Sequence, residues 1–258
     1  EAAKRFTALA AKVWEEHRSF TVALAGGSTP KALYVVLASE PYRTQVDWSK
    51  IEFFFGDERG VPPDHPDSNY RLANESLFRP AGVVSGRIHR MKGEMENLSA
   101  AAELYARELQ VLASDDFPRF DLVLLGLGTD GHTASLFPHS QALRERTRWV
   151  LPILDAPKPP RCRLTLTMPV LNAARQVIFL VSGEKKAKAV REVVTGHGSP
   201  RRLPRQARPT RFGSSPVAFG CRGGQFVVII PARGECCRNI SPDHPGPWHD
   251  TLYSGAGH

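Results

Sequence analysis

A histidine that follows an acid and several glycines stands out at the end of an apolar segment. Residues 125–140 read LGLGTDGHTASLFPHS, so Asp130 and His132 are separated by one residue. A neutral imidazole is suited to general-base chemistry near pH 7, and a nearby carboxylate can orient the ring. The same residues fit a second interpretation, in which His132 begins a helix and Asp130 caps it. This motif alone leaves both interpretations open.

A glycine-rich turn earlier in the chain is suited to binding a phosphate group. It reads AGGSTPK and spans residues 25–31. Gly26 and Gly27 let the backbone approach a ligand closely. Ser28 and Thr29 offer hydroxyl and amide donors at the start of a predicted helix, where the helix dipole favours an anion. The spacing is neither GxxxxGK[ST] nor GxGxxG, so an ordinary strand-to-helix turn is the alternative.

Charged side chains follow other predicted strands. Asp57 and Arg59 lie in GDERG, and such an adjacent acid and arginine can orient a hydroxylated anionic ligand. Arg163 and Lys186 flank two later strands and favour an anionic substrate. Surface ion pairs and solvated charges at strand ends are the alternatives for these four residues.

These side chains must be positioned by alternating strands and helices. Apolar runs predict strands at 20–26, 51–58, 86–91, 120–128, 148–154, 163–168 and 176–183. Helical spacing and composition predict helices within 1–18, 28–38, 68–78, 97–114 and 184–194. The alternation indicates an α/β fold with a largely parallel sheet. Ligands bind at the carboxyl ends of such strands, and four polar clusters follow these ends, at 26–29, 57–59, 128–132 and 182–186.

Bulk composition is that of an ordinary globular enzyme. The 258 residues are 41% hydrophobic and 23% charged. No apolar run reaches the roughly 18–20 residues of a membrane helix, and no signal peptide is visible. The four cysteines form neither a metal-binding spacing nor a disulfide framework, which favours a reducing, cytoplasmic setting. HExxH and GxSxG are absent, so a metal site and a hydrolytic serine have little support. We expect an incomplete N-terminus.

The last 59 residues differ in character from the rest. The segment 200–258 contains eight Arg and no Lys against three acids, and it supplies most of the net charge of +8. The main body therefore offers little indication of nucleic-acid binding. We predict an α/β domain over 1–199, followed by an atypical Arg/Pro/Gly-rich tail that is disordered or translated out of frame. Periodicity in this tail is poor apart from GQFVVII at 224–230.

Five motifs occur in a characteristic order: LAGGSTPK, GDERGVPPDHPDSNY, GLGTDGHTASLFP, PPRCRLTLTMPVLNAAR and SGEKKA. Over residues 1–199 the chain resembles the 6-phosphogluconolactonase family. The resemblance implies a Rossmann-like three-layer α/β domain of the deaminase/ribose-5-phosphate isomerase type. It also implies hydrolysis of 6-phospho-D-glucono-1,5-lactone to 6-phospho-D-gluconate, in the oxidative pentose phosphate pathway, without a metal or an organic cofactor. We expect a monomer whose partner is this small sugar-phosphate lactone, with no nucleic-acid or membrane partner.

The resemblance also implies roles for the residues above. His132 is the general base that activates water, and Asp130 holds the imidazole or its loop. Arg59, a substrate-binding candidate, and nearby backbone amides are candidates for stabilising the developing oxyanion, and the division of the cations between oxyanion and phosphate stays open. The phosphate and hydroxyl groups of the substrate are assigned to the other strand ends: Gly26, Gly27, Ser28, Thr29, Asp57, Arg163 and Lys186.

Two other functions remain as alternatives. Glucosamine-6-phosphate deaminases resemble DGHIAFNEP in the histidine motif, with a Glu where this chain has Phe137, and they carry Tyr where it has Arg59. Both differences favour the lactonase. A non-catalytic, truncated homologue that binds sugar phosphates, or nucleic acid through its tail, is the other alternative. The intact His132 argues against it, whereas the lack of the family's usual first strand and closing segment leaves it open.

Overall fold

The computed structural model describes residues 1–114, 117–187, 189, 217–221 and 225–231. The α-helices are α1 (Ala2–Glu15), α2 (Ser28–Leu37), α3 (Tyr42–Gln45), α4 (Asn69–Ala73), α5 (Arg79–Ala81), α6 (Leu98–Glu108) and α7 (Met168–Ala173). The strands are β1 (Phe20–Leu24), β2 (Ile51–Phe55), β3 (Asp57–Arg59), β4 (Ala113–Ser114), β5 (Phe117–Pro118), β6 (Leu122–Gly126), β7 (Val150–Ile153), β8 (Arg163–Leu166), β9 (Gln176–Ser182), β10 (Val217–Cys221) and β11 (Gln225–Pro231).

The main sheet has six strands in the order β10-β11-β9-β6-β1-β2. The pairs β1/β2, β1/β6 and β6/β9 are parallel, whereas β10/β11 and β11/β9 are antiparallel. The prediction of an α/β fold with a largely parallel sheet is therefore confirmed. The carboxyl ends of β1, β2, β6 and β9 lie along one edge of this sheet.

The strands of the main sheet are apolar because both of its faces are covered. Every residue of β1 is buried, as are the inner residues of β9, which is the pattern of a sheet enclosed on both sides. In β2, Phe53 packs on Phe78, while its neighbour Phe54 packs on Phe120. Alternate residues of a strand thus fill the core on opposite faces of the sheet.

A second, three-stranded sheet lies beside the parallel strands. Its order is β3-β8-β7, and both of its pairs are antiparallel. Gly56 joins the sheets, because its N–H donates to the carbonyl of Leu24 at the end of β1 and its carbonyl accepts from Leu166 of β8. The predicted strands at 148–154 and 163–168 therefore exist but extend this second sheet, since they pair with the charged strand β3.

One predicted element is wrong, and two predicted helices differ in extent. The predicted strand at 86–91 is instead a 3-10 turn, Ser85–Arg87, followed by a single bridge from Ile88 to Phe53. The predicted helix at 97–114 ends earlier, since α6 stops at Glu108 and a 3-10 turn continues to Leu112. The start of the predicted helix at 184–194 is a 3-10 turn, Glu184–Lys186, and most of the remainder lies outside the described residues.

Two strands of the main sheet come from the Arg-rich segment. β11 pairs with β9 along seven residues, and β10 pairs with β11. Residues 225–230 of the predicted apolar run accordingly lie in β11, and residue 224 lies outside the described residues. The boundary at residue 199 and a disordered or out-of-frame tail stay predictions, because most of 200–258 lies outside the described residues. Within the described part of the chain, no helix is both long and apolar enough to cross a membrane.

Candidate active site

The four polar clusters predicted from the sequence meet at one edge of the main sheet. Each follows the carboxyl end of a parallel strand, namely β1, β2, β6 and β9. The first and last clusters touch directly, since the hydroxyl groups of Thr29 and Ser182 are 2.7 Å apart. Asn69 joins the first two, because its amide packs against Gly26 and donates to the carbonyl and carboxylate of Asp57.

The histidine motif forms an irregular loop after β6. His132 Nδ1 lies 2.6 Å from Oδ1 of Asp130. No α-helix begins here, so the alternative in which His132 starts a helix is wrong. The loop is closed by backbone hydrogen bonds instead: Gly128 N–H donates to the carbonyl of His132, and Gly131 N–H donates to the carbonyl of Gly128.

Glycine is required at position 128 for this geometry. A Cβ atom there would fall on His132 Nδ1 and on Asp130 Oδ1, well inside van der Waals contact. Gly131 has φ 86°, a left-handed conformation that glycine adopts without strain. The glycines of the motif therefore let the acid and the imidazole approach each other over the turn.

The electrostatic setting favours a neutral imidazole beside an ionised carboxylate. Burial lowers the pKa of His132 below its usual value, and the charge of Lys158 lowers it further, while Asp130 and Asp57 oppose this only in part. Burial acts to raise the pKa of Asp130, but the hydrogen bonds and charges of His132 and Lys158 outweigh it and bring this pKa below its usual value. An ionised Asp130 accepts the hydrogen of Nδ1, which leaves the lone pair of His132 on Nε2.

Asp57 lies beneath the histidine loop. It is 6% exposed and accepts a hydrogen bond from Ser135 Oγ at 2.7 Å. Ser135 is itself fully buried, and its hydroxyl is directed at this carboxylate. The one serine near His132 in the motif is therefore placed to brace the loop, which agrees with the weak sequence support for a serine nucleophile.

Arg163 is buried and bonded to backbone. It is 4% exposed, and its guanidinium donates to the carbonyls of Lys158, Pro159 and Pro160. A longer contact of 3.4 Å joins its Nη1 to Ser135 Oγ. This predicted substrate-binding residue thus holds the loop between β7 and β8 against the histidine loop.

Phe137 occupies the position at which the deaminase motif has an acid. The centroid of the Phe137 ring lies 4.7 Å from that of the His132 imidazole. The Arg163 guanidinium lies 5.6 Å from the same Phe137 centroid. Phe137 is 4% exposed. The imidazole therefore rests on an apolar surface, and Asp130 is the carboxylate that bonds it among the described residues.

The predicted phosphate cradle forms as a strand-to-helix turn. Gly27 precedes α2 with φ 101°, a left-handed conformation, and Ser28 opens the helix with an exposed side chain. The Tyr34 hydroxyl fixes Ala25, which follows β1, since it accepts from the N–H of Ala25 and donates to the Ala25 carbonyl. Gly26 leaves no room for a side chain, because a Cβ atom would fall on the Asn69 amide.

The two remaining cations differ in how they are held. Arg59 donates to the carbonyl of Asp67 at 3.3 Å, and its Nε is buried without a hydrogen bond to any described residue. Lys186 is partly buried, whereas its neighbour Lys185 is exposed. Burial lowers the pKa of Lys186, and the charge of Lys158 adds to this effect. The structure thus favours Lys186 over Lys185 as a site residue.

Three residues of the site were missed by sequence reasoning: Asn69, Ser135 and Lys158. The first two lie within motifs quoted above, and their contacts to Gly26 and Asp57 span long distances along the chain. Lys158 precedes a quoted motif by one residue, and its ion pair with Asp130 at 3.1 Å joins two loops. The proline-rich run around it is a weak signal that the loop is rigid.

Two further features bear on where chemistry occurs. Among the described residues, no group of three or more His, Cys, Asp or Glu side chains is arranged to hold a metal ion. An open groove of about 340 Å³ lies between α6 and β7, lined by Ala102, Arg107 and Trp149 among others. None of the predicted site residues lines this groove.

The family of the chain follows from comparison with known proteins. Residues 1–212 match the family described as glucosamine-6-phosphate isomerases/6-phosphogluconolactonase. The chain belongs to this family. The match extends beyond residue 199, the predicted limit of the resemblance, and ends before β10.

Curated relatives in this family carry the lactonase name. The chain is 40% identical to 6-phosphogluconolactonase 3, chloroplastic, of Arabidopsis thaliana over 205 residues, which are 76% of this chain and 62% of the plant protein. It is 42% identical to the 6-phosphogluconolactonase of Synechocystis over 196 residues, which are 75% of this chain and 79% of that protein. The chain thus spans somewhat under two thirds of the plant relatives that it matches.

Solved structures of the family share the fold. The 6-phosphogluconolactonase of Thermotoga maritima superposes with a TM-score of 0.68 at 34% identity, covering 78% of this chain and 86% of that one. That of Trypanosoma brucei gives 0.68 at 32% identity, covering 79% and 84%. A monomeric glucosamine-6-phosphate deaminase, at 23% identity and a TM-score of 0.65, shares the fold alone.

Proposed function

We propose that the protein hydrolyses 6-phospho-D-glucono-1,5-lactone to 6-phospho-D-gluconate, as a step of the oxidative pentose phosphate pathway, with His132 as general base. The observation that carries the proposal is the Asp130–His132 pair, with its 2.6 Å hydrogen bond, at the sheet edge that also bears the predicted phosphate cradle. The lactonase names of the Arabidopsis and Synechocystis relatives support it.

The reaction needs one group that first accepts and then returns a proton. Nε2 of His132 takes a proton from water as the water oxygen attacks the lactone carbonyl carbon. The tetrahedral intermediate then breaks the bond between this carbon and the ring oxygen. The imidazolium gives its proton to the departing oxygen, which becomes a hydroxyl group, so His132 ends in its starting state.

Neighbouring residues keep His132 ready for this cycle. Asp130 fixes the tautomer with the hydrogen on Nδ1 and stabilises the transient imidazolium. Phe137 limits the motion of the ring and supplies an apolar surface in place of a second acid. Burial keeps the imidazole neutral before the reaction.

Substrate recognition is assigned to the surrounding strand ends. The first turn of α2, with Gly27, Ser28 and Thr29, presents backbone amides and hydroxyl groups to the phosphate. Lys186 is assigned to the same anion, because it follows Ser182 by four residues and the Ser182 hydroxyl lies 2.7 Å from that of Thr29. Arg59 is proposed to stabilise the oxyanion, because it follows the carboxyl end of β2 and, unlike Arg163, is only partly buried.

Three predicted site residues are proposed to act by support. Asp57 and Arg163 are nearly inaccessible, and they bond Ser135 and the 158–160 carbonyls. Gly26 leaves room for Asn69. We assign to all three the shaping of the site in place of direct substrate contact. The monomeric state and the cytoplasmic location stay predictions.

The proposal is tested by assaying the full chain on freshly generated 6-phosphogluconolactone. Product is measured through NADP⁺ reduction by 6-phosphogluconate dehydrogenase, and the rate is corrected for spontaneous hydrolysis of the lactone. We expect enzyme-dependent turnover without an added metal. A rate equal to the spontaneous one would refute the proposal.

A parallel assay separates the alternatives. Ammonia release from glucosamine 6-phosphate identifies a deaminase. Binding of 6-phosphogluconate in calorimetry with turnover of neither substrate identifies a non-catalytic sugar-phosphate-binding protein. The apolar contact of Phe137 with His132 favours the lactonase, because it replaces the acid of the deaminase motif.

A further inference from the structure

Lys158 and His132, the proposed base, both contact the same carboxylate oxygen of Asp130. Its Nζ lies 3.1 Å from Oδ1 of Asp130, the oxygen that also bonds His132 Nδ1 at 2.6 Å. One carboxylate oxygen therefore connects an ammonium group and an imidazole. The lysine comes from the loop between β7 and β8, whereas the pair belongs to the loop after β6.

The backbone of Lys158 is fixed by buried contacts. Arg163 donates from Nη2 to the carbonyls of Lys158 and Pro159, at 3.0 and 3.2 Å, and from Nε to that of Pro160 at 2.8 Å. The loop is therefore anchored through these three carbonyls to Arg163, a residue of β8 that is 4% exposed. The backbone of Lys158 is thus bonded to Arg163 of β8, and its side chain pairs with Asp130 from this loop.

We infer that Lys158 is a positioning residue for the proposed hydrolysis: it holds the Asp130 carboxylate in place against His132. This inference rests on the proposed function, because it assigns His132 as the base. Lys158 acts through Asp130 and is not assigned a contact with the reacting atoms.

The charges around the imidazole give the inference a direction. Asp130 and Asp57 are the anions that favour the imidazolium form, and Lys158 is the cation that disfavours it. Arg163 lies over the ring of Phe137, the other neighbour of His132, and the charge of Lys158 also acts on Lys186. Removing Lys158 leaves the two carboxylates less opposed, so the pKa of His132 should rise. It also removes the second partner of Asp130 Oδ1, so the carboxylate is held less firmly and the orientation of the ring should become less strict.

The alternative is an ordinary surface ion pair. The Lys158 side chain is 44% exposed, and such pairs contribute little to stability. The chain offers a matched control in Lys50, whose Nζ also lies 3.1 Å from an aspartate, Asp47, and whose side chain is 58% exposed. Lys50 immediately precedes β2, so it lies at the edge of the sheet opposite the candidate site.

The test compares the wild type with Lys158→Met, Lys158→Arg and Lys50→Met. The first readout is the pH titration of the His132 ring in the ligand-free protein, followed by ¹⁵N NMR and assigned with a His132→Gln variant. We expect the His132 titration in Lys158→Met to move to higher pH, that in Lys158→Arg to stay near the wild type, and that in Lys50→Met to be unchanged. This readout does not depend on lactonase activity.

The second readout is turnover as a function of pH. In Lys158→Met we expect kcat to fall up to about fivefold, the range of an exposed ion pair, with the acid limb of the profile displaced to higher pH. An unchanged His132 titration in Lys158→Met, or an equal displacement in Lys50→Met, would overturn the inference. A raised KM with unchanged kcat and unchanged titration would also overturn it, since Lys158 would then bind substrate directly. Absence of lactonase activity in the wild type, together with the expected displacement of the His132 titration in Lys158→Met, would refute the proposed hydrolysis but leave Lys158 as the residue that positions the Asp130–His132 pair.

Discussion

The contacts of the His132 side chain favour the proposed chemical role over a purely structural one. It is bonded by Asp130, packed on Phe137 and partly shielded from water. An imidazole that served only to close the loop would need none of these, because the backbone of the loop already forms its own hydrogen bonds. Substitution at this position should therefore affect turnover far more than folding.

His132→Gln is expected to lower lactonase kcat by about 10²–10⁴-fold, the usual contribution of general acid–base catalysis. The melting temperature should stay close to that of the wild type, because the imidazole bonds one partly exposed side chain. Coupled assays and thermal denaturation measure the two effects. His139→Gln is the control. His139 does not bond Asp130 among the described contacts, so this variant should hydrolyse the lactone at the wild-type rate. A His132→Gln variant with near-normal turnover would remove His132 from the mechanism.

The pH dependence of turnover follows from the His132 pKa. Burial lowers this pKa, so the base should be active to a lower pH than an ordinary histidine, whose pKa is about 6.5. Asp130 raises the pKa, so Asp130→Asn should displace the acid limb to still lower pH while it reduces kcat by about a hundredfold or more. This displacement is opposite in sign to that expected of Lys158→Met. A limb that moves to higher pH in Asp130→Asn would contradict the electrostatic account.

Two buried tyrosines brace the strands that carry the site. Tyr34 of α2 bonds both backbone groups of Ala25, after β1, and Tyr105 of α6 bonds both backbone groups of Phe55, at the end of β2. Each hydroxyl thus satisfies an N–H and a carbonyl at a point where the chain leaves the sheet. The turns that bear the cradle and the Asp57 cluster begin directly after these contacts.

Tyr34→Phe should reduce the free energy of unfolding by about 1–3 kcal/mol, because it leaves two buried backbone groups without a partner. Urea denaturation measures the change. Tyr70→Phe is a suitable control, since the Tyr70 ring packs on Phe78 and beside Arg90, and no described residue bonds its hydroxyl. Equal stability of both variants would indicate that the Tyr34 hydroxyl does not brace the strand.

The main sheet as a whole extends past the end of the family match. The match stops at residue 212, yet β11 pairs with all seven residues of β9, and β9 carries Ser182 of the candidate site. Without β10 and β11, β9 would expose a long apolar edge among the described strands, and exposed edges promote aggregation. The stability of the whole molecule is therefore linked to a segment whose composition is atypical.

A chain that ends at residue 216 tests this link against one that ends at residue 231. The first lacks β10 and β11 and should aggregate or melt at a lower temperature, by about 2–4 °C for each kcal/mol lost. The second keeps both strands and should match the full chain. Size-exclusion chromatography and thermal denaturation measure both. Equal behaviour of the two chains would support the prediction of a tail that does not contribute to the fold.

Motif order and hydrophobic pattern were sufficient to predict the α/β class, the family and the edge of the sheet that bears the polar clusters. These features are local in the chain, since a buried parallel strand is an apolar run and the group that follows it lies at the carboxyl edge. Pattern failed where pairing was distant. The segments 148–154 and 163–168 read locally as strands, but no local signal shows that 163–168 pairs with the charged strand β3. The 86–91 segment meets β2 at a single bridge.

The roles of individual side chains depended on contacts between distant segments. The sequence places Arg163 and Asp57 among charged ligand candidates, whereas their burial and their bonds to other loops favour the supporting roles proposed above. Lys158 lies outside the quoted motifs. Its proposed positioning role depends on the Asp130 oxygen that it and His132 both contact. Residue type and spacing identify which groups can do chemistry. Burial and partner geometry, which arise when loops from different strands meet, determine which of them can reach a substrate.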